Sequence, residues 1–328
     1  MINIFFIFSL TSFFILIFIA KISYKLNLLD IPIKNRSFHD KPTAYTGGVA
    51  LCIILALGIF IFNFDQKINS ILSIAFMTAL VGFVDDKYNL GVGGKLSLQL
   101  LPIIYLIIND NLNLNTLGDY NNFKLELNSF SIPFTILAAL FLINSFNYFD
   151  GIDGVLGVLN LSILSILYFL IPDENFRILF ILIIVSILLF LLFNFSFFKL
   201  PKLFLGDSGS LMLGFLISFI LILLSNEKLV HPILLAFSVS IFVYEFLAIN
   251  LIRLKKKRIF KAGKDHLHHI LFKHTKSKFY TILIMSLTNI IIFTLGFISY
   301  KLMSPLVSAL LFIIFFFIYL TLRIKIFN

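Results

Sequence analysis

The chain contains no tryptophan and one cysteine among its 328 residues, and only 13% of it is charged. A single thiol, Cys52, cannot close an intrachain disulfide, and inside an apolar run it is not expected to carry redox chemistry. The shortage of charge excludes an ordinary soluble domain, in which about a quarter of residues are charged and roughly 45–50% are apolar. Here 60% are apolar and the mean hydropathy is +1.04. Acids are scarcer than bases, 16 against 26, leaving a net charge of +10. Such a surplus can attract nucleic acid, but in a chain this apolar basic loops set membrane topology, and no nucleic-acid partner is expected. Forty-two Phe beside no Trp reflect a biased coding composition rather than a function.

What is abundant is long apolar sequence. A helix needs about 20 residues to cross the hydrocarbon. Runs of that kind lie at 2–20, 47–63, 69–84, 96–108, 131–147, 155–172, 178–196, 208–225, 232–252, 280–300 and 305–322. The expected fold is an all-α polytopic membrane protein with about eleven transmembrane helices, or ten because 96–108 is short. The first run resembles a signal peptide, yet its start is uncharged and no small-residue cleavage site follows, so it is read as retained. Neither a large soluble domain nor an internal repeat is visible, and residues 1–328 read as one integral membrane domain embedded in a lipid bilayer.

Lys and Arg in alternate loops divide 21 to 5. The richer side holds 21–46, 85–95, 197–207, 253–279 and the tail, and is expected to face the cytoplasm, with the N-terminus outside. The Asn-rich outer segment 109–130 reads as a short hairpin or cap. Eight of the sixteen acids, Asp30, Asp40, Asp85, Asp86, Asp150, Asp153, Asp207 and Asp265, lie in or beside the cytoplasmic loops. Five of them, Asp85, Asp86, Asp150, Asp153 and Asp207, sit where spans meet three separate loops. The chemistry is therefore expected on the cytoplasmic face.

Four polar clusters stand out, each with a bland alternative. In GFVDDKYNLGVGGKLSLQ, Gly82 to Gln99, adjacent Asp85 and Asp86 repel unless a cation or shared proton relieves them. Asn89 would share a helical face with Asp85, and Lys95 follows a glycine-rich bend; the alternative is a solvated helix end. In NSFNYFDGIDG, Asn144, Asn147, Asp150 and Asp153 recur at i, i+3 spacing and would form one drifting polar stripe. Carboxylates near the membrane core cost about 2.5–3.5 kcal/mol each on insertion scales, so a hard cation with phosphate oxygens would relieve them. A helix end capped by Asn and Asp is the plain alternative. In LPKLFLGDSGSLMLG, Leu200 to Gly214, Asp207 or Ser208 could be a helix N-cap whose free amides attract anions. In RLKKKRIFKAGKDHLHHILFKH, Arg253 to His274, three imidazoles suggest zinc, but neither cysteine nor a His-x-x-x-His pairing with Glu accompanies them. Basic residues and histidines facing carboxylates read better as a diphosphate clamp, although some lysines are topology anchors. Carboxylates for a metal, donors for phosphate and glycines for close approach fit phosphoryl transfer at a membrane surface.

The stretches KPTAYTGG, VDDKYNLGVGGKLSLQ, NSFNYFDGIDGVLG, FLGDSGSLMLG and DHLHH, in this order between Pro42 and His269, resemble the polyprenyl-phosphate N-acetylhexosamine-1-phosphate transferases. In that family an undecaprenyl-phosphate oxygen attacks the β-phosphorus of a UDP-sugar, giving lipid-diphosphate-sugar and UMP in the bacterial inner membrane. The resemblance implies Mg²⁺ as cofactor, with Mn²⁺ as a substitute, undecaprenyl phosphate and a UDP-N-acetylhexosamine as partners, and leaves a homodimer open. It implies that Asp85 and Asp86 handle the lipid phosphate and that Asn147 and Asp207 bind the metal, with Asp150 close by. Asp153 and Phe204 resemble residues that hold the uracil ring. Lys95, Asn89, His266, His268 and His269 resemble groups near the diphosphate and sugar.

The H-x-H-H pattern resembles the branch that begins O-antigen, teichoic-acid or capsule-type glycans, whereas the peptidoglycan branch more usually has three consecutive histidines. Three departures bear on detail. Ala44 replaces a proline, three extra residues separate Asn194 from Phe204, and Gly263-Lys264-Asp265 replaces the usual residues before the histidines. Glu245, inside the ninth run, is a buried acid in need of a partner, with Arg253 as the candidate. A membrane transporter is the alternative of a different class, because intramembrane acids also mark ion pathways.

Overall fold

The computed structural model describes residues 2–32, 41–121, 123–255 and 266–327. Asp40, the Gly263-Lys264-Asp265 substitution and most of the basic run after Arg253 lie outside the described residues. Without water at membrane depth, backbone groups must pair within the chain, and helices do this locally. Each of the eleven apolar runs is helical. In order they form α1 (Ile2–Lys25), α2 (Gly47–Phe62), α3 (Gln66–Tyr88), α4 (Val92–Asn109), α5 (Ser131–Phe149), α6 (Val155–Leu170), α7 (Glu174–Asn194) and α8 (Gly206–Asn226). Then follow α9 (Pro232–Ser238) with α10 (Ser240–Lys255), a short α11 (Leu267–Thr275), α12 (Lys278–Leu302) and α13 (Pro305–Phe327).

Among the described residues eight helices are long and apolar enough to cross a membrane, and α9 with α10 would make a ninth. The helices α2 and α6, at 16 residues each, are about 24 Å long, so length alone does not raise the count to eleven.

The ninth run departs from expectation. It is not one straight span, because α9 and α10 meet at Val239 with a 74° bend. Neither proline nor glycine marks this break. Asn289 of α12 accounts for it by taking the freed backbone groups. Its Nδ2 donates to the Ser238 carbonyl (3.0 Å), while its Oδ1 accepts from the Ile241 amide (3.3 Å) and the Ser240 hydroxyl (3.2 Å). Irregular backbone at this depth persists only where protein satisfies it. The fold is also not purely helical. Strand β1 (Leu29–Asp30) pairs antiparallel with β2 (Thr43–Ala44), and β3 (Thr116–Asp119) with β4 (Lys124–Glu126). The second pair is the hairpin expected within 109–130.

At the centre stands α8, with 94% of its apolar window buried, against 6% for the peripheral α13. It is enclosed by α2, α3 and α5. Lipid tails are as apolar as leucine, so helices associate through close packing, and small residues allow the closest approach. A Cβ on Gly48 of α2 would collide with the backbone of Gly209 of α8, and one on Gly82 of α3 with the backbone at Asp207–Ser208.

The KPTAYTGG stretch fixes where α8 begins. Phe204 N donates to Ala44 O (2.8 Å), Gly47 N to Phe204 O (2.9 Å) and Gly48 N to Leu205 O (2.8 Å). The extra residues after Asn194 form a 3-10 turn, Phe197–Lys199, with Ser196, Phe198 and Lys199 left-handed. Asn194 spans the turn, accepting from Gly154 N (2.7 Å) and donating to Leu203 O (2.8 Å). Asn194 and the Ala44 carbonyl thus hold the two residues that flank α8's approach, Leu203 and Phe204.

Gly48→Ala should destabilise the protein by about 1–3 kcal/mol, the usual cost of overpacking. Gly93→Ala, where a Cβ meets nothing within 4 Å, should not lower stability. Apparent melting temperatures in detergent compare the two, and equal values would contradict the packing.

Candidate active site

Three helix ends bring acids and an amide to one lysine. Gly91 opens α4 in extended conformation, which places Lys95 in its first turns. The Lys95 ammonium lies 2.7 Å from Asp85 Oδ2 at the end of α3, 2.5 Å from Asp207 Oδ2 at the start of α8, and 3.3 Å from Asn147 Oδ1 near the end of α5. Asn147 Nδ2 donates to Asp207 Oδ1 (2.8 Å) and to Ser210 Oγ (2.9 Å). Asp85 Oδ1 also accepts from Leu90 N (2.7 Å). One turn deeper, Asn144 Nδ2 donates to the buried Gln99 Oε1 (2.8 Å) and extends the polar contact between α4 and α5.

Asp86 turns away from this cluster. Its Oδ1 accepts from Asp207 N (3.0 Å) and its Oδ2 from Ser208 N (3.3 Å). The first amides of a helix lack partners within the helix, and here a carboxylate of α3 supplies them. This corrects two expectations. Neither Asp207 nor Ser208 caps α8, and the amides there are not free for an external anion. Asp85 and Asp86 therefore do different work. Gly206, at φ +72°, makes the turn into α8 beside Asp86 and the Tyr45 carbonyl.

Two more positions differ from the reading of periodicity. Asn89 shares no helical face with Asp85. It is the left-handed residue (φ 51°) that ends α3, and it is exposed. The polar stripe likewise stops after Asn147, because α5 ends at Phe149 and Asp150 is its C-cap. Asp150 still lies near the cluster, and its carboxyl is held well above the usual carboxylate range, first by loss of water and then by the charges of Asp207, Asp86 and Asp153.

Asp153 belongs to a neighbouring group. Its Oδ2 accepts from Lys202 (2.8 Å) and Lys278 (2.6 Å), and the Lys202 ammonium lies 5.0 Å from the centre of the Phe204 ring. Sequence reading had counted both lysines only as topology anchors. Lys202 lies two residues before Phe204 and was within reach of motif reading, whereas Lys278 is 125 residues from its partner and carries no local signal.

The three histidines stand together at the start of α11. His266 packs on Tyr148 with ring centres 4.7 Å apart, and His268 lies 5.8 Å from His266 and 4.0 Å from His269. A Cβ on Gly151 would collide with His268 Nε2, so glycine there lets α11 reach the turn between α5 and α6. His268 is 1% exposed, and neither ring nitrogen has a hydrogen-bond partner among the described residues. Burial, with the charges of His269, His266 and Arg323, holds it well below the usual histidine range, so at neutral pH it offers a hydrogen bond rather than a charge. Arg253 is not the partner of Glu245. Arg253 stacks on Tyr148 (5.7 Å to the ring centre), and Glu245 binds Arg323 of α13 instead.

Three oxygens, Asp85 Oδ2, Asn147 Oδ1 and Asp207 Oδ2, thus converge on one ammonium. An all-oxygen donor set of this kind is the type that suits a hard cation such as Mg²⁺ or Mn²⁺. Among the described residues no group of three or more His, Cys, Asp or Glu could hold a metal ion. A divalent ion here would need Asn147 together with water or substrate oxygens, which is how Mg²⁺ is commonly bound.

Fold and site together describe a polytopic helical membrane protein with a charge-dense, oxygen-rich centre at one end of the bundle. Residues 68–225, from α3 through α8, match the model of Glycosyl transferase family 4. The chain is 32% identical to a Bacillus subtilis (strain 168) protein named "Probable undecaprenyl-phosphate N-acetylglucosaminyl 1-phosphate transferase", over 90% of this chain and 83% of that one. It is 29% identical to the undecaprenyl-phosphate alpha-N-acetylglucosaminyl 1-phosphate transferase of Pasteurella multocida (strain Pm70), over 88% and 83% of the two chains. For the enzyme of that name from Escherichia coli (strain K12) the identity is 25%, over 95% and 88%. The chain belongs to this family of membrane sugar-phosphate transferases, the polyprenyl-phosphate N-acetylhexosamine-1-phosphate transferases.

A carboxyl whose pKa rises on folding binds protons more tightly in the folded state, so its ionisation weakens the fold as pH climbs above about 3.9 towards the raised value. Asp150→Asn should therefore raise the melting temperature of ligand-free protein, and by more at pH 8 than at pH 5. Scanning fluorimetry tests this, and a stabilisation independent of pH would contradict it. Separately, Asp86→Ala strips the acceptor from two partly buried amides and should cost about 1–3 kcal/mol. Asp85→Ala leaves Lys95 paired with Asp207 and should cost less, so equal losses would refute the division of labour.

Proposed function

We propose that the chain transfers N-acetylglucosamine-1-phosphate from UDP-GlcNAc to undecaprenyl phosphate, releasing UMP and forming the first lipid-diphosphate-sugar of a cell-surface glycan. The observation that carries this is the convergence of Asp85, Asn147 and Asp207 on the Lys95 ammonium, in a chain whose relatives are named for that transfer. A bound Mg²⁺ would supply charge neutralisation for the diphosphate; Asp207 and Asn147 would hold it, with Asp85 facing the same point.

The remaining roles follow from charge and place. Asp85, tethered by Leu90 N, orients the lipid phosphate. Lys95 is the group free to trade its carboxylate contacts for phosphate oxygens. Asp86 keeps the α8 terminus in place and acts through Asp207. The Asp153–Lys202–Phe204 group offers a carboxylate acceptor and an aromatic face to the uracil. His266, His268 and His269 offer donors to diphosphate and sugar. Attack is direct and in line: the lipid phosphate oxygen bonds to the β-phosphorus as the bond from that phosphorus to the α-phosphate oxygen breaks, and its electrons leave with UMP. No protein nucleophile is invoked, and a trapped phospho-aspartate at Asp85 would overturn this.

The loop charges favour an outside N-terminus and a cytoplasmic active face in a bacterial plasma membrane, where a soluble nucleotide sugar meets a lipid head. Glu245, the acid inside the ninth apolar run, is engaged by Arg323 and Tyr319, which disfavours an ion pathway.

Purified protein given labelled UDP-GlcNAc, undecaprenyl phosphate and Mg²⁺ should yield labelled lipid and UMP, and chelation by EDTA should abolish transfer. Asp207→Ala should lower turnover by about a hundred-fold or more. Labelled lipid formed only from UDP-N-acetylmuramoyl-pentapeptide would refute the choice of donor.

A further inference from the structure

Among the acids that the proposed chemistry leaves unused, Glu245 of α10 is fully buried. Its carboxylate accepts from Arg323 Nε (2.8 Å) and Nη2 (2.9 Å), from the Tyr319 hydroxyl (2.6 Å) and from the backbone amide of Leu267 (2.7 Å). Leu267 is the first residue of α11, so its amide has no acceptor within the helix. His266 precedes it without a side-chain cap. A carboxylate on this amide makes a charge-assisted bond that the helix dipole also favours.

Among the described residues α11 is held by a short set of contacts. The helix is nine residues long, and only Leu267 and His268 in it are buried. It rests on α12 and touches the turn after α5 at Gly151. The Glu245 carboxylate is the tie at the N-terminal end of α11, as Thr275 Oγ1 with Thr281 Oγ1 (2.9 Å) is at its other end, and that carboxylate is itself oriented by the end of α13. The fork of Arg323 fixes the plane of the carboxylate, which leaves one oxygen, Oε1, aimed at Leu267.

We propose that Glu245, clamped by Arg323 and Tyr319, is a positioning residue for the donor half of the site: it seats α11, and with it His266, His268 and His269, so that the end of α13 sets affinity for the nucleotide sugar. This rests on the transferase reading given above. Glu245 and Arg323 act in it through α11 rather than on the substrate.

Removing one partner alone would strand a buried charge and risk the fold, so the test uses neutral pairs. Glu245→Leu/Arg323→Met removes the acceptor for Leu267, whereas Glu245→Gln/Arg323→Met keeps an oxygen there. The first double variant should raise the KM for UDP-GlcNAc about ten-fold, as loss of a supporting contact does, with the KM for undecaprenyl phosphate and kcat within about two-fold. The second should recover most of the donor affinity. Hydrogen exchange gives a readout independent of turnover: amides at 267–270 should lose protection in the first variant only, while those at 206–212 stay protected. Lost protection with an unchanged donor KM, or equal rises in both KM values, would overturn the proposal. If wild-type protein transfers nothing, the functional reading fails by itself, and unchanged protection at Leu267 would then overturn the tie.

Discussion

Helix N-termini at the edge of a bilayer present amides that nothing within the helix can satisfy, and the arrangement of this protein turns on how those amides are met. Two of the helices that carry the site are each capped from another element by a carboxylate. Asp86 of α3 takes the first amides of α8, which bears Asp207. Glu245 of α10 takes the first amide of α11, whose histidines face the turn at Gly151. In both cases an acid that looks available for chemistry in the sequence is engaged in setting the position of another group. The close contacts of α8 with Gly48 and Gly82 place that capped terminus at a fixed height in the bundle.

The second constraint is charge. Asp85, Asp150 and Asp207 crowd one end of the bundle with Lys95 as the cation among them. Such crowding is costly without a ligand and favourable with one, which is the usual signature of a functional cluster rather than a structural one. Asp153 is held differently, between two lysines. A metal-like centre and a cationic, aromatic-lined neighbour therefore lie side by side, matching a donor that carries both a diphosphate and a base.

Much of this was legible in sequence, and the exceptions share a cause. Apolar run length located the long helices, because burial in lipid leaves a local compositional mark, but not the short α11 or the break between α9 and α10. Several of the acids at the ends of those runs are the ones the fold gathers into the candidate site. Periodicity failed where a helix ended: Asn89 and Asp150 were placed on helical faces, yet α3 stops at Tyr88 and α5 at Phe149. The glycines that follow each position were the available hint. Partners across the fold left no mark at all. Glu245 gave no sign of Arg323, 78 residues away. The bend at Val239 depends on Asn289 of another helix, and Lys278 reaches Asp153 from the far side of the loop. Asp85 and Asp86 look alike in sequence, and only their orientation assigns one to the cluster and the other to a helix end.

The central claim is that Asp207, Asn147 and Asp85 form one cation site whose geometry is set by the capped end of α8. The most direct measurement is Mn²⁺ titration followed by electron paramagnetic resonance, on purified protein with UMP present. Saturable binding in the wild type that is lost in Asp207→Ala, and competed by Mg²⁺, is the predicted result. Equal Mn²⁺ binding by wild type and Asp207→Ala would contradict the account.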